Sequence, residues 1–163
     1  MIAETAVLIP KVLNRLRDLG PSEVSEIGEL QVTSNALLES QLLHVRQLTN
    51  FLIGTSERTR DDDVLRTDFT AEWEPRPLSA VRELSGLIVP LNKHLAHITR
   101  DRTNSPLPKW YYDDIAQDVV LVATEWCSHL ERSMGLAFAK PLSDLLLRSR
   151  QMLGLQAATT VFR

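Results

Sequence analysis

The chain has 163 residues, of which 44% are apolar and 24% charged, and its formal net charge is -3. These values are typical of one globular domain, and a chain of this length buries roughly 70% of the surface that its unfolded form exposes. They exclude the strongly basic footprint of a protein that holds nucleic acid by overall charge alone, although a local basic patch stays open.

Cys127 is the only cysteine, so no internal disulfide can form and the sequence suits a reducing compartment, for which the cytoplasm is the default. The densest apolar runs, at 86–91 and 119–123, are far shorter than the roughly 20 residues that a membrane span requires. We therefore expect no signal peptide, no membrane anchor and no membrane partner.

Apolar residues recur at three- and four-residue spacing in several stretches, which predicts helices. The first runs over residues 2–19 and is ended by Gly20 and Pro21. The second runs from about 33 to 53, ends at Gly54, and has an apolar face broad enough for a central helix.

The stretch after the second helix is irregular. Residues 55–63 contain no apolar side chain and predict a solvated connection. A short turn is expected in DDVLRTDF at 62–69. Trp73 then lies among prolines that forbid a regular helix, and we expect it to pin this loop to the core.

Ser79 is a suitable N-cap for a helix of about 20 residues. Because Pro90 removes a backbone donor inside this helix, a kink is expected one turn before His94. The predicted core stripe consists of Leu84, Ile88, Leu91, Leu95 and Ile98.

Two further helices complete the prediction, one over residues 110–130 and a shorter one that begins at Pro141 and is closed by Gly154. The predicted fold is all-α, an up-and-down bundle of four main helices with one or two short additional helices. We expect a single domain over 1–163, with the core bundle at about 33–154 and a loosely held tail at 155–163.

The kinked helix carries the most distinctive polar residues. His97 shares a face with Lys93 and Arg100, and residues 93–109 contain four basic residues and one acidic residue, a local balance of +3 that could hold a phosphate. The alternative is that Arg100 and Arg102 complement the helix dipole. His94 borders the core stripe, where a histidine with one hydrogen bond is the simpler interpretation.

Glu39 and Arg46 lie two turns apart on one polar face of the second helix. If this helix packs antiparallel to the kinked helix, both side chains meet the face of His97 across a cleft. The alternative is that they are ordinary surface charges.

Metal binding lacks a convergent ligand set, since neither Glu39 with His44 nor Glu125 with His129 has the Glu-x-x-His spacing of di-iron bundles. We therefore predict no metal and no cofactor. Cys127, in an apolar helix, is predicted to be a packing residue and not a nucleophile.

The sequence NKHLAH at 92–97, late in one long helix, together with Glu39 and Arg46 in the preceding one, resembles the HEPN superfamily of small helical-bundle proteins. Many members are metal-independent ribonucleases, others are inactive RNA-binding relatives, and two protomers usually join so that both motifs face one cleft. The interval from Asn92 to His97 fits the family's motif, but Leu91 and Asn92 stand where an arginine is expected. A wider likeness, over about 33–130, is to a group of bacterial helical proteins.

The resemblance implies RNA cleavage by a neighbouring 2'-hydroxyl, with His97 as general acid or base. Arg100 and Lys93 would stabilise the charge on the phosphorane, and Glu39 or Arg46 would orient these groups. Asn92 would open the motif, and His94 and Arg102 would add to binding.

Because the arginine is absent, the favoured function is a non-catalytic binding module, and the alternative is a metal-independent endoribonuclease that uses His97. The expected partner is a second copy or another protein, with RNA as an open alternative. A binding module predicts an exposed apolar strip, with Trp73, Trp110 and Tyr111 as its candidates.

Overall fold

The computed structural model describes residues 1–20, 23–54, 64–70, 72–93 and 110–155. Its α-helices are α1 (Ile2–Asp18), α2 (Val24–Ile53), α3 (Leu78–Leu91), α4 (Tyr112–Met134) and α5 (Leu136–Met152), and a short 3-10 helix lies at Arg66–Asp68. The described residues form no β-strand, so the predicted all-α bundle is confirmed. None of the helices in these ranges is both long enough and apolar enough to cross a lipid bilayer.

The central helix is α4, since it packs against all four of the other α-helices. The six apolar residues that predicted it are all buried: Ile115, Val119, Val122, Ala123, Trp126 and Leu130. Burial of a side chain of this size stabilises the fold by about 1.5–3 kcal/mol. The same core takes in Ile2 and Ala6 of α1, which precede the predicted core bundle at 33–154.

The second helix begins at Val24, nine residues before its predicted start near residue 33. Residues 24–33 are mostly solvent-exposed, and of their four apolar side chains only Ile27 and Leu30 are even half-buried, too few to extend the core stripe of α2. This segment packs on α1, where Arg15 donates from Nε and Nη2 to Oε1 of Glu26 at 2.9 and 2.8 Å. The extension is therefore a product of the α1–α2 hairpin and not of a core face.

The third helix begins at Leu78 with Pro77 at the N-cap, so its cap lies two residues before the predicted cap at Ser79. Leu84 and Leu91 of the predicted stripe are fully buried. Directly after Pro90, residues 92–93 continue in π-helical geometry, and the Asn92 amide donates to the carbonyls of both Ile88 and Val89. Helix irregularities of this kind follow an internal proline because one backbone donor is missing.

The prediction that the last helix begins at Pro141 is wrong, since α5 begins at Leu136. Gly135 has a φ of 91°, a left-handed conformation that ends α4 and allows the next helix to start at once. Pro141 lies inside α5 and removes the donor that would have bonded the Ala137 carbonyl. The proline marks an interruption and not a start.

The loop before α3 is anchored as predicted. Trp73 is buried, and the guanidinium of Arg66 lies 5.7 Å above its ring while Nη1 donates to the Gly54 carbonyl at 3.0 Å. The indole of Trp126 donates to the Thr70 hydroxyl at 3.3 Å. These contacts join Arg66 and Thr70 to the C-terminal end of α2 and to α4.

Candidate functional site

Two of the predicted site residues meet where α2 packs on α3. Arg46 donates from Nε to Oδ1 of Asn92 at 2.6 Å, and both side chains are half-buried. Asn92 lies in the π-helical turn after Pro90, so the backbone irregularity and the side-chain contact occur at one place. A short, charge-assisted bond of this kind holds both side chains in one orientation.

Glu39 does not join this contact. It is exposed on α2, and no hydrogen bond or ion pair within the described ranges connects it to Arg46 or Asn92. Lys93, the residue after Asn92, is exposed, and it is not without a partner. His94, His97, Arg100 and Arg102 lie outside the described residues, so the structure covers the beginning of the predicted motif only.

The described residues contain no group of three or more His, Cys, Asp or Glu side chains that could hold a metal ion. His44 on α2 and His129 on α4 are each half-buried on their helices.

A groove of about 500 Å³ lies between α4 and α5, lined by hydroxyl, carboxylate and leucine side chains. Cys127 at its base is 3% exposed, and its Sγ lies 3.9 Å from the Ala139 carbonyl. Burial, and secondarily the carboxylate of Glu131, raises the pKa of the Cys127 thiol, against a smaller opposing effect of the Ser143 hydroxyl. The thiol therefore stays protonated, which fits the predicted packing role.

The expected strip of exposed aromatics is wrong for Trp73, which is only 7% exposed because it supports the loop before α3. Trp110 is half-buried and engaged in a contact, whereas Tyr111 is 66% exposed. These three side chains therefore do not form an exposed strip together.

The exposed apolar surface lies on α5 instead. Phe138, Leu145 and Met152 are seven residues apart and are 53%, 55% and 44% exposed. Half-buried Leu142 and Ser149 complete the a and d positions of a short heptad pattern. We call these five residues the α5 seam. The spacing was readable in the sequence, but assigning the helix start to Pro141 left Phe138 outside it.

The α5 seam is exposed to solvent because α5 packs against the other helices of the described ranges on one side only. Among the described helices it contacts only α4 and α1, through a face that buries Ala139 and Leu146. The seam runs along the edge of that face, beside solvent. Comparison with family models, curated proteins and solved structures gave no match.

Proposed function

We propose that this protein is a non-catalytic binding module that recognises a protein partner through the α5 seam. The observation that supports this function is the line of three exposed large apolar side chains at heptad spacing on a helix with one free side. Exposed apolar surface arranged in this way is typical of helix-to-helix recognition sites. A cytoplasmic location stays a prediction from the single cysteine.

The test compares two substitutions on the same helix. Leu145 and Leu147 are 55% and 54% exposed, but only Leu145 belongs to the seam. Wild-type protein, Leu145→Lys and Leu147→Lys are immobilised and offered both soluble wild-type chain and a cell extract. We expect the immobilised wild type to bind a protein from one of these two sources. Leu145→Lys should fail to bind that protein, and Leu147→Lys should bind it like the wild type. Equal retention by all three would contradict the proposal.

A second candidate function, cleavage of RNA without a metal, is favoured by the Arg46–Asn92 contact. In this mechanism His97 is the general acid or base, and Arg46 fixes the start of the histidine motif through Asn92. With this candidate function we propose a relationship to HEPN proteins, including a bacterial origin and an RNA ligand.

The nuclease candidate is tested with a mixed, labelled RNA pool in excess chelator. Wild-type protein and His97→Ala are purified in parallel, so that the variant controls for contaminating nuclease. Activity that is present in the wild type and lost in the variant supports cleavage at this site. Equal activity, or no activity in either, contradicts it and leaves the binding module.

A further inference from the structure

The α5 seam is symmetric about its middle residue. Phe138 and Met152 each lie seven residues from Leu145. When two identical helices pack antiparallel around a two-fold axis at Leu145, the two Leu145 side chains meet on the axis and each Phe138 lies at the level of the other copy's Met152. The distance from Leu145 to either end is the same, about 10 Å of helix, so the register is shared by both copies.

A hollow lies at the Met152 end of the seam. It has a volume of about 210 Å³ and is formed by α1, α4 and α5, with Val7, Pro10 and Met152 on its apolar side and Asp113 and Gln117 on its polar side. An apolar cavity of roughly 150 Å³ is large enough to bind benzene. By volume, the apolar side of this hollow has room for the phenyl ring of Phe138 from a second copy, next to the Met152 sulfur, with which an aromatic ring makes a favourable contact.

Charges beside the seam complement one another in this arrangement. Asp144 and Arg148 lie one turn apart on the solvent side of α5. Asp144 accepts from Lys140 at 3.2 Å, while Arg148 has no ion pair within the described ranges. In the antiparallel pair, Arg148 of one copy lies within about 3 Å, along the helix axis, of the level of Asp144 in the other copy.

We propose that the partner of the α5 seam is a second copy of this chain, docked antiparallel through α5 with Leu145 on the two-fold axis and Phe138 of each copy in the hollow beside Met152 of the other. This inference rests on the proposed function and names its partner. The seam is short, so the dimer is expected to be weak, with dissociation in the micromolar range.

Sedimentation velocity over a range of concentrations tests the dimer directly. We expect the wild type to pass from monomer to dimer, and Leu145→Lys to weaken dimerisation by more than about tenfold because two like charges then meet on the axis. Leu147→Lys is the matched control and should dimerise like the wild type. Helical circular dichroism should be unchanged in both variants, since both leucines are more than half exposed.

Two further experiments test the register. In a Cys127→Ala background, Leu145→Cys should form a disulfide-linked dimer under mild oxidation, whereas Leu147→Cys should not. Reversal of one charge, by Asp144→Arg or Arg148→Asp, should weaken the dimer, and the double reversal should restore it. Cross-linking at 147 in preference to 145 would overturn the antiparallel register.

The outcomes separate the two proposals. A wild-type chain that is monomeric at every concentration overturns self-pairing. If Leu145→Lys nevertheless abolishes capture of a different protein, the binding module stands and only the identity of the partner is wrong. If Leu145→Lys changes neither self-association nor any other binding, both proposals fall.

Discussion

Nε of Arg46 and Oδ1 of Asn92 lie 2.6 Å apart, joining the C-terminal part of α2 to the turn that follows Pro90 in α3. The acceptor belongs to the irregular C-terminal turn of α3, where the Asn92 amide already donates to the Ile88 and Val89 carbonyls, and the side-chain contact adds a bond from this turn to α2. A hydrogen bond to a charged group is worth about 1.5–3 kcal/mol. The contact therefore fixes the orientation of the Asn92 side chain at the C-terminal end of α3.

Asn92→Ala removes the acceptor and leaves a half-buried guanidinium without it. We expect the free energy of unfolding to fall by about 1–2 kcal/mol, measured by urea denaturation. Asn92→Asp keeps the acceptor and adds an opposite charge, so it should restore stability. A double-mutant cycle with Arg46→Met measures the coupling energy between the two side chains. A value near zero would show that their hydrogen bond does not stabilise the fold.

Trp73 and Tyr111 offer a second, paired comparison, because one aromatic residue is 7% and the other 66% exposed. Trp73→Ala should cost about 3–5 kcal/mol, since it opens a cavity and removes the ring beneath Arg66. Tyr111→Ala should change stability by no more than about 0.5 kcal/mol. Thermal and urea unfolding of the two variants give both values, and similar losses would contradict the assigned burial.

The helices that touch the core on a regular stripe were predictable from the sequence, and α4 is the clearest case. Its buried residues recur at helical spacing because the helix is enclosed by the others. The start of α2 was not predictable, since residues 24–33 are held by contact with α1 and not by a buried face of their own. At α5, Pro141 gave the wrong start because proline is common in the first turn, whereas here Gly135 makes the turn.

The candidate site was also only partly predictable from the sequence. The sequence left open whether Arg46 meets the kinked helix or is an ordinary surface charge, and it could not tell that one hydrogen bond joins Arg46 to Asn92 or that Glu39 lies apart. Exposure was harder to predict than position. Trp73 and Phe138 are both large and apolar, and only the packing around each shows which is buried and which is presented to solvent.

Gly135 and Gly28 should respond in opposite directions to substitution by alanine. Neither would bring a new Cβ within 4 Å of another atom, so the backbone alone decides the outcome. At Gly135, with φ at 91°, alanine is strained and should cost about 1–2 kcal/mol. At Gly28, in the interior of α2, alanine should stabilise by about 0.5–1 kcal/mol. Differential scanning calorimetry of the two variants measures both, and changes of the same sign would contradict the assigned helix boundaries.

Asp118 of α4 gives a prediction for the pH dependence of stability. Burial raises the pKa of this carboxyl, and the nearby Glu83 and Asp114 raise it further. The folded state therefore binds the proton of Asp118 more tightly than the unfolded state does. Ionisation of Asp118 lowers the stability of the fold, and this loss is fully present at a pH above the folded pKa. It is absent at a pH below the unfolded pKa of about 3.9. Asp118→Asn removes that cost and should raise Tm at pH 7 by about 1–2 °C, a modest shift because the group is half exposed to solvent. The gain in Tm should shrink as the pH falls through the folded pKa and vanish below about pH 3.9. Glu125→Gln, an exposed control on the same helix, should change Tm little at any pH. A gain that persists undiminished in acid would mean that the asparagine stabilises α4 by some route other than the lost charge.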